Sequence, residues 1–197
     1  AMAGKPADRE GLRKFAPAAA RLRAQIVARS LFAEETLASA VTRGVDQYVL
    51  LGAGLDTFAY RNPWPQVRVF EMDAPASGEW KRGALETGAV PIPSNVVYAP
   101  VDFEHERMMD GLARAGFDMA RPAVFAWLGV ALYLTKPAIE TTLRAVGALP
   151  AGTELVFDYT VPPESLPEPA QSRVREMMAN VAARGEPWIS FFLPAEI

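Results

Sequence analysis

The stretch VLLGAGLDTFAY, residues 49–60, joins an apolar run to a turn that contains two glycines and an acid. The apolar run predicts a buried β-strand, and Gly52 and Gly54 predict a tight turn directly after it. Glycines leave room for a ligand to approach the backbone, although a strand-to-helix turn that binds nothing would use the same residues. Asp56 follows the second glycine by two positions and limits which ligands suit the turn.

Short apolar runs alternate with helix-like segments along the rest of the chain. Predicted strands lie at 47–52, 66–72, 95–101, 123–130 and 153–160, and predicted helices at 17–41, 75–88, 104–116, 136–149 and 170–184. Strands that alternate with helices at this spacing form parallel sheets with right-handed crossovers. Several of these strands lack polar alternation, as expected when helices cover both faces of a sheet. The sequence therefore predicts an α/β fold with a doubly wound, mostly parallel open sheet.

The composition narrows the class of protein. The chain has 197 residues, a net charge of −3, no cysteine and one histidine. This charge gives no basic surface for nucleic acid, and no apolar run approaches the roughly 20 residues that span a bilayer. The lack of cysteine excludes disulfides, and a single histidine argues against a metal site. We expect a cytoplasmic protein with a small-molecule or carboxyl-bearing partner, and homo-oligomerisation is left open.

The residues of the glycine turn favour a cofactor that carries a positive charge and no phosphate. A dinucleotide fingerprint requires glycine or alanine three residues after the second glycine, where this chain has Thr57. Asp56 would compete with an anionic phosphate for the start of the next helix. S-adenosyl-L-methionine, which carries adenosine, a sulfonium and an amino-acid end, suits the turn better.

The ends of the second and third predicted strands carry residues that suit adenosine. Ribose hydroxyls favour a carboxylate about 20 residues after the glycines, where Glu71 and Asp73 lie on the same side of an extended chain. Adenine favours an acceptor and an apolar wall, which Asp102 and Phe103 supply after the third strand. Any one of these strand ends alone is typical of a solvated loop, but together they indicate a nucleoside site.

Five segments carry motifs that are more specific than a glycine turn. They are QYVLLGAGLDTFAYR (47–61), VFEMDAPASGEWKR (69–82), YAPVDFE (98–104), WLGVALYLT (127–135) and FDYTVPP (157–163). Together they resemble the leucine carboxyl methyltransferase-like family, in its bacterial O-methyltransferase branch. The resemblance implies a class I methyltransferase with a Rossmann-like fold and S-adenosyl-L-methionine as cofactor.

The resemblance also implies roles for single residues. Gly52, Ala53 and Gly54 would line the methionine part of the cofactor, and Asp73 would hold the ribose hydroxyls in preference to Glu71. Asp102 and Phe103 would bracket the adenine. Arg29 would pair with the cofactor's carboxylate through its guanidinium fork, although a helix-surface arginine is an equal alternative.

The chain departs from the family at three places. Family members generally have more chain before the glycine turn, and this N-terminal part helps to cover the cofactor. Leu128 stands where the eukaryotic members have a glutamate, so the amino end of the cofactor would be held differently or more weakly. The family also has two further strands beyond residue 197. We therefore expect 1–44 to form an N-terminal tail and helix, and 45–197 to form a methyltransferase domain that is truncated at its C-terminus.

The implied reaction is the transfer of a methyl group to an acceptor oxygen. A carboxylate acceptor is already ionised near pH 7 and needs no general base, whereas a base would help a hydroxyl acceptor. His105 is the only histidine available for that role. Tyr133 follows the fourth strand and would either bind the acceptor or simply pack, and no catalytic residue is predicted.

Two other functions compete with this interpretation. A nicotinamide-dependent oxidoreductase is disfavoured by Asp56 and Thr57. A non-catalytic, degenerate methyltransferase-like module for binding or assembly would follow if Leu128 and the missing strands have abolished the site.

Overall fold

The computed structural model describes residues 9–102 and 105–197, with side chains from residue 20 onward except that of 21. The helices are α1 (Arg9–Thr42), α2 (Pro75–Thr87), α3 (Met108–Arg114), α4 (Lys136–Gly147) and α5 (Ala170–Ala182). The strands are β1 (Gln47–Leu51), β2 (Arg68–Asp73), β3 (Val96–Pro100), β4 (Val124–Trp127) and β5 (Glu154–Phe157). Each predicted strand is present, with its ends shifted by a few residues.

The five strands form one parallel sheet in the order β3-β2-β1-β4-β5. Leu50 of β1 pairs with Glu71 of β2 on one side and with Ala126 of β4 on the other. The chain therefore winds outward from β1 to β3 and then returns to the opposite side of β1. Ligands of doubly wound sheets bind at this reversal, beyond the carboxyl ends of the central strands. The predicted α/β fold class is confirmed.

Both faces of the central strands β1 and β4 are buried. Tyr48 and Leu50 belong to the core beneath α1, whereas Val49 and Leu51 belong to the core beneath α3 and α4. Successive residues of a strand point to opposite faces, so a strand that is covered on both sides needs apolar residues at every position. This burial explains why the strands of this sequence lack polar alternation.

The first helix is longer than predicted, because α1 begins at Arg9 and not near residue 17. Its C-terminal half packs Ala33, Leu37 and Ala40 against the sheet. The helix ends at Thr42, and Gly44, two residues later, has a φ of +90°, the left-handed conformation that glycine adopts readily. The close packing of this half brings Arg29, one turn earlier, towards the carboxyl ends of the strands.

The connection from β1 to β2 contains a short 3₁₀ turn, Phe58–Tyr60, and no α-helix. Pro63 and Pro65 lack the amide hydrogens that a helix requires. The Asn62 side chain instead accepts a hydrogen bond from the Trp64 amide at 2.9 Å and donates one to the Trp64 carbonyl at 3.0 Å. The glycine turn therefore leads into a compact loop rather than into the helix that a strand–helix repeat would supply.

Candidate functional site

The glycine turn after β1 is fixed to the end of β2 by backbone hydrogen bonds. The amides of Gly52 and Ala53 both donate to the Met72 carbonyl, each at 2.9 Å. The Gly54 amide donates to Oδ2 of Asp73 at 2.6 Å. The two segments that the sequence predicts to bind a cofactor are thus in direct contact.

Gly52 cannot be exchanged for a larger residue without strain. Its φ is +69°, and a Cβ atom built on it would lie 2.5 Å from Cγ2 of Val130, in the loop after β4. Side chains other than hydrogen are disfavoured both by this conformation and by this approach. The first glycine of the motif therefore lets the loop after β4 close against the turn.

A small cavity of about 270 Å³ lies on the β2 side of the turn. Its lining includes Ala53, Gly54, Asp73, Lys81 and Tyr98. The Asp73 carboxylate is oriented by two backbone amides, because Oδ1 also accepts from Ala74 at 2.8 Å. A carboxylate has about four acceptor positions, so Asp73 can still accept hydrogen bonds from a ligand.

Glu71 also lines the small cavity, but its carboxylate differs from that of Asp73 in exposure and in its hydrogen-bond partners. Only 4% of Glu71 is exposed, and its oxygens accept from Nζ of Lys81 at 2.7 Å and from the Tyr60 hydroxyl at 2.8 Å. Burial raises the pKa of Glu71, and the hydrogen bonds from Lys81 and Tyr60 oppose that rise. Asp73 is therefore the more accessible of the two predicted carboxylates.

A large cavity of about 690 Å³ lies on the β4 side of the turn. Its lining includes Arg29, Gly52, Ala53, Gly54, Leu128 and Tyr133. Ala53 and Gly54 line both cavities, so a ligand that crosses the turn would reach both. The predicted residues from α1, β1 and the loop after β4 are thus brought together in one place.

Arg29 is held at the wall of the large cavity by a partner far away in the sequence. Its Nη1 donates to Oδ2 of Asp158, just after β5, at 2.6 Å. Its Nε is buried and has no hydrogen-bond partner within the described part of the chain. Arg29 therefore combines a fixed position with an unused donor, which distinguishes it from a solvated helix-surface arginine.

The two residues predicted to bracket the adenine follow β3. Asp102 is exposed, its Oδ2 lies 2.8 Å from Nδ1 of His105, and it belongs to the lining of neither the small nor the large cavity. Phe103 lies outside the described residues. From β3 itself, Tyr98 and Pro100 line the small cavity. Tyr98 was detectable in the sequence only as a lone hydroxyl within an apolar strand.

Comparison with known protein families assigns the chain that carries this site to a family. Residues 2–147 match the family described as leucine carboxyl methyltransferase. The chain belongs to the leucine carboxyl methyltransferase family. The recognition made from the sequence motifs is therefore confirmed.

Curated relatives carry names of one kind. A Bacillus subtilis protein named "Putative S-adenosyl-L-methionine-dependent methyltransferase YktD" is 34% identical over 174 residues, which are 87% of this chain and 57% of that protein. A Frankia alni protein with the same type of name is 39% identical over 64% of this chain and 44% of its own length. These names agree with the predicted cofactor and enzyme class. This member of the family spans about half the length of the curated relatives that it matches.

Solved structures of similar fold support the architecture. A DUF574 family protein from Streptomyces avermitilis has a TM-score of 0.58 at 19% identity, over 85% of this chain and 64% of that one. A Thermobifida fusca protein described as a "putative methyltransferase" has a TM-score of 0.57 at 22% identity, over 83% and 61%. At these identities the likeness concerns the fold alone.

Of the helices in the described ranges, none is both long and apolar enough to cross a membrane.

Proposed function

We propose that this chain forms the S-adenosyl-L-methionine-binding part of a methyltransferase that acts on an oxygen of a carboxylate or hydroxyl. The observation that carries the proposal is the pair of cavities that meet at Ala53 and Gly54, with the Asp73 carboxylate in one and the Arg29 guanidinium in the other. A ligand with ribose hydroxyls at one end and an amino-acid carboxylate at the other has complementary groups for both.

The small cavity suits the nucleoside end. Asp73 offers acceptor positions for ribose hydroxyls and is already oriented by the amides of Gly54 and Ala74. Tyr98 and Pro100 offer an aromatic ring and an apolar surface for a base. A preoriented acceptor loses little entropy on binding, which favours affinity.

The large cavity suits the amino-acid end. A buried donor without a partner costs about 1–3 kcal/mol, and Nε of Arg29 is such a donor among the residues that the structure describes. A carboxylate beside it would remove this cost and form a charge-assisted hydrogen bond. Gly54 leaves the backbone open where the ligand would cross from one cavity to the other, because a Cβ atom built on it would have only the Gly52 carbonyl oxygen within 4 Å, at 3.8 Å.

Asp73 and Arg29 would hold S-adenosyl-L-methionine, which would supply an activated methyl group on a sulfonium that keeps the bonding electron pair when the methyl group passes to the acceptor oxygen. The chain's own residues align the acceptor and exclude water, and such positioning lowers barriers by about 7–11 kcal/mol. Ile26, Leu128 and Val130 give the large cavity apolar walls, and the Tyr133 hydroxyl would orient the acceptor. A carboxylate acceptor releases no proton, so this role needs no general base.

Calorimetric titration tests the cofactor. We expect S-adenosyl-L-methionine and its demethylated product to bind with dissociation constants of about micromolar order, and NADH not to bind. Asp73→Ala should weaken the binding of both sulfur ligands about tenfold or more, the effect of losing a hydrogen bond to a charged group. Asp110→Ala, which removes an exposed carboxylate on α3, is the matched control and should leave both affinities unchanged. Absence of binding by the unmodified chain would contradict the proposal and favour a non-catalytic module.

The type of acceptor atom is tested by transfer of a labelled methyl group. The chain would be incubated with labelled S-adenosyl-L-methionine and a panel of carboxylic acids, alcohols, amines and thiols. Label that mild base releases as methanol identifies a carboxyl ester, and base-stable label on an alcohol identifies an ether. Transfer only to amines or thiols would contradict the assignment to oxygen.

A further inference from the structure

The Asp158 side chain bridges two parts of the large cavity that are far apart in the sequence. Oδ2 accepts from Nη1 of Arg29 at 2.6 Å, and Oδ1 accepts from the amide of Gly129 at 2.5 Å. One carboxylate thus joins α1, the loop after β4 and the end of β5. Both oxygens are used, so the carboxylate is fixed in position and orientation.

The Arg29 guanidinium lies directly against the backbone that Asp158 also holds. A Cβ atom built on Gly129 would lie 2.6 Å from Nη2 and 2.9 Å from Nη1 of Arg29. Gly129 has a φ of +75°, so glycine is favoured there for its conformation as well as for space. The Arg29 guanidinium is therefore held by two contacts. The backbone at Gly129 packs against it, and the Asp158 carboxylate accepts a hydrogen bond from its Nη1.

This arrangement leaves part of the guanidinium free for a ligand. Arginine has five donor hydrogens, and Asp158 uses one edge of the fork. The Nε hydrogen is buried and lacks a partner within the described residues, while Arg29 lines the large cavity. If the Arg29–Asp158 ion pair served stability alone, a hydrogen-bond acceptor for Nε of Arg29 would make the fold more stable.

We propose that Asp158 is a positioning residue, which holds Arg29 in the orientation that receives the carboxylate of the cofactor's amino-acid end. This inference rests on the proposed function. Asp158 is absent from the lining of the large cavity, so it acts through Arg29 and not by direct contact with the ligand. Its role is to fix an otherwise flexible side chain before the ligand arrives, which reduces the entropy lost on binding.

The test compares two ligands that differ only beyond the sulfur. The demethylated product of S-adenosyl-L-methionine keeps the amino-acid end, whereas 5′-methylthioadenosine has the nucleoside and sulfur without it. We expect Asp158→Ala to weaken binding of the first about tenfold or more, and to change binding of the second less than about twofold. Asp158→Asn should fall between, because its single amide oxygen can accept from either Arg29 or Gly129, whereas its NH2 group cannot accept from the other.

Two further variants distinguish the positioning of Arg29 by Asp158 from a general destabilisation of the fold. Arg43 and Glu154 form another ion pair that joins the end of α1 to β5, outside both cavities. Glu154→Ala should leave the affinities for both ligands unchanged. Arg29→Ala combined with Asp158→Ala should bind the amino-acid ligand no more weakly than Arg29→Ala alone, because Asp158 acts through Arg29.

Each result has a defined consequence. Equal losses for both ligands with Asp158→Asn, an equal effect of Glu154→Ala, or additive losses in the double variant would overturn the positioning role. An unchanged affinity of Asp158→Ala for the amino-acid ligand would do so too. If the unmodified chain binds neither ligand, the proposed function itself fails, and this outcome differs from every result that rejects Asp158 alone.

Discussion

The ammonium of Lys81 lies 2.7 Å from the carboxylate of Glu71, and their side chains are only 8% and 2% exposed. The Tyr60 hydroxyl donates to the same carboxylate and lies 3.1 Å from the Tyr98 hydroxyl. This buried group connects α2, β2, β3 and the loop that follows the glycine turn. Glu71, Lys81 and Tyr98 of this group line the small cavity, as does Asp73.

Lys81→Met should strongly destabilise the fold. Removal of one partner of a buried ion pair leaves an uncompensated charge, which costs about 3–5 kcal/mol. We expect the free energy of unfolding, measured by chemical denaturation at neutral pH, to fall by that amount. The double variant Lys81→Met with Glu71→Gln removes both charges and should recover most of the loss. A double variant no more stable than Lys81→Met would contradict the ion-pair explanation.

The stability of Lys81→Met should also depend more strongly on pH than that of the unmodified chain. Burial raises the pKa of Glu71 in the folded state, so the stability from this group is complete below the ordinary glutamate pKa and is lost as pH rises through the folded pKa. Without the opposing Lys81 cation the folded pKa moves higher, and the loss extends to higher pH. The gap in unfolding free energy between the two proteins should therefore widen as pH rises between about 4 and 8.

The double variant is again the control for the pH effect. Glutamine does not titrate, so the part of the pH dependence that comes from position 71 should disappear. A gap between the unmodified chain and Lys81→Met that is constant or narrows with rising pH would show that Glu71 is not the titrating group.

Gly52→Ala should damage both stability and cofactor binding. The new methyl group would meet Val130 at 2.5 Å, and alanine at a φ of +69° carries conformational strain of about 1–3 kcal/mol. We expect a lower melting temperature and at least about tenfold weaker binding of S-adenosyl-L-methionine in calorimetry, because Val130, which the new methyl group would displace, lines the large cavity.

Gly83→Ala is the matched control for this glycine. Gly83 lies in α2 with nothing within 4 Å of its added Cβ, so alanine should stabilise the helix by about 0.5–1 kcal/mol. Combining Gly52→Ala with Val130→Ala should restore part of the lost affinity by removing the clash. Equal behaviour of the two glycine variants would refute the close-approach argument.

Tyr133→Phe should affect the acceptor and not the cofactor. Tyr133 is 39% exposed and lines the large cavity, so its hydroxyl is available to a second ligand. Once an acceptor is found in the panel, its KM should rise about 2–10-fold, as for the loss of one uncharged hydrogen bond. The affinity for S-adenosyl-L-methionine should stay within about twofold by the same reasoning. Tyr159→Phe, which alters a ring packed between Phe157 and Phe192, should leave both values unchanged. A change in cofactor affinity alone would reject the acceptor role.

The positions of the strands and most of the helices were predictable because they depend on local patterns. Apolar runs bounded by turns marked β1 to β5, and the glycine turn marked the end of β1. Asp73 was found at the wall of a cavity because carboxyl ends of adjacent parallel strands share one edge of the sheet. Asp102 also follows a strand of the sheet, but its side chain is exposed, with Oδ2 2.8 Å from Nδ1 of His105, and it is not among the described residues that line either cavity.

The sequence by itself determined the α/β class, the family and the place of the glycine turn, since periodicity and short motifs are encoded by neighbouring residues. The tertiary structure alone decided which charged groups face each other. The pairing of Glu71 with Lys81 requires α2 to pack on β2, and that of Arg29 with Asp158 joins residues 129 positions apart. Such pairs depend on how elements pack in three dimensions, and no local pattern specifies the partner of a buried charge.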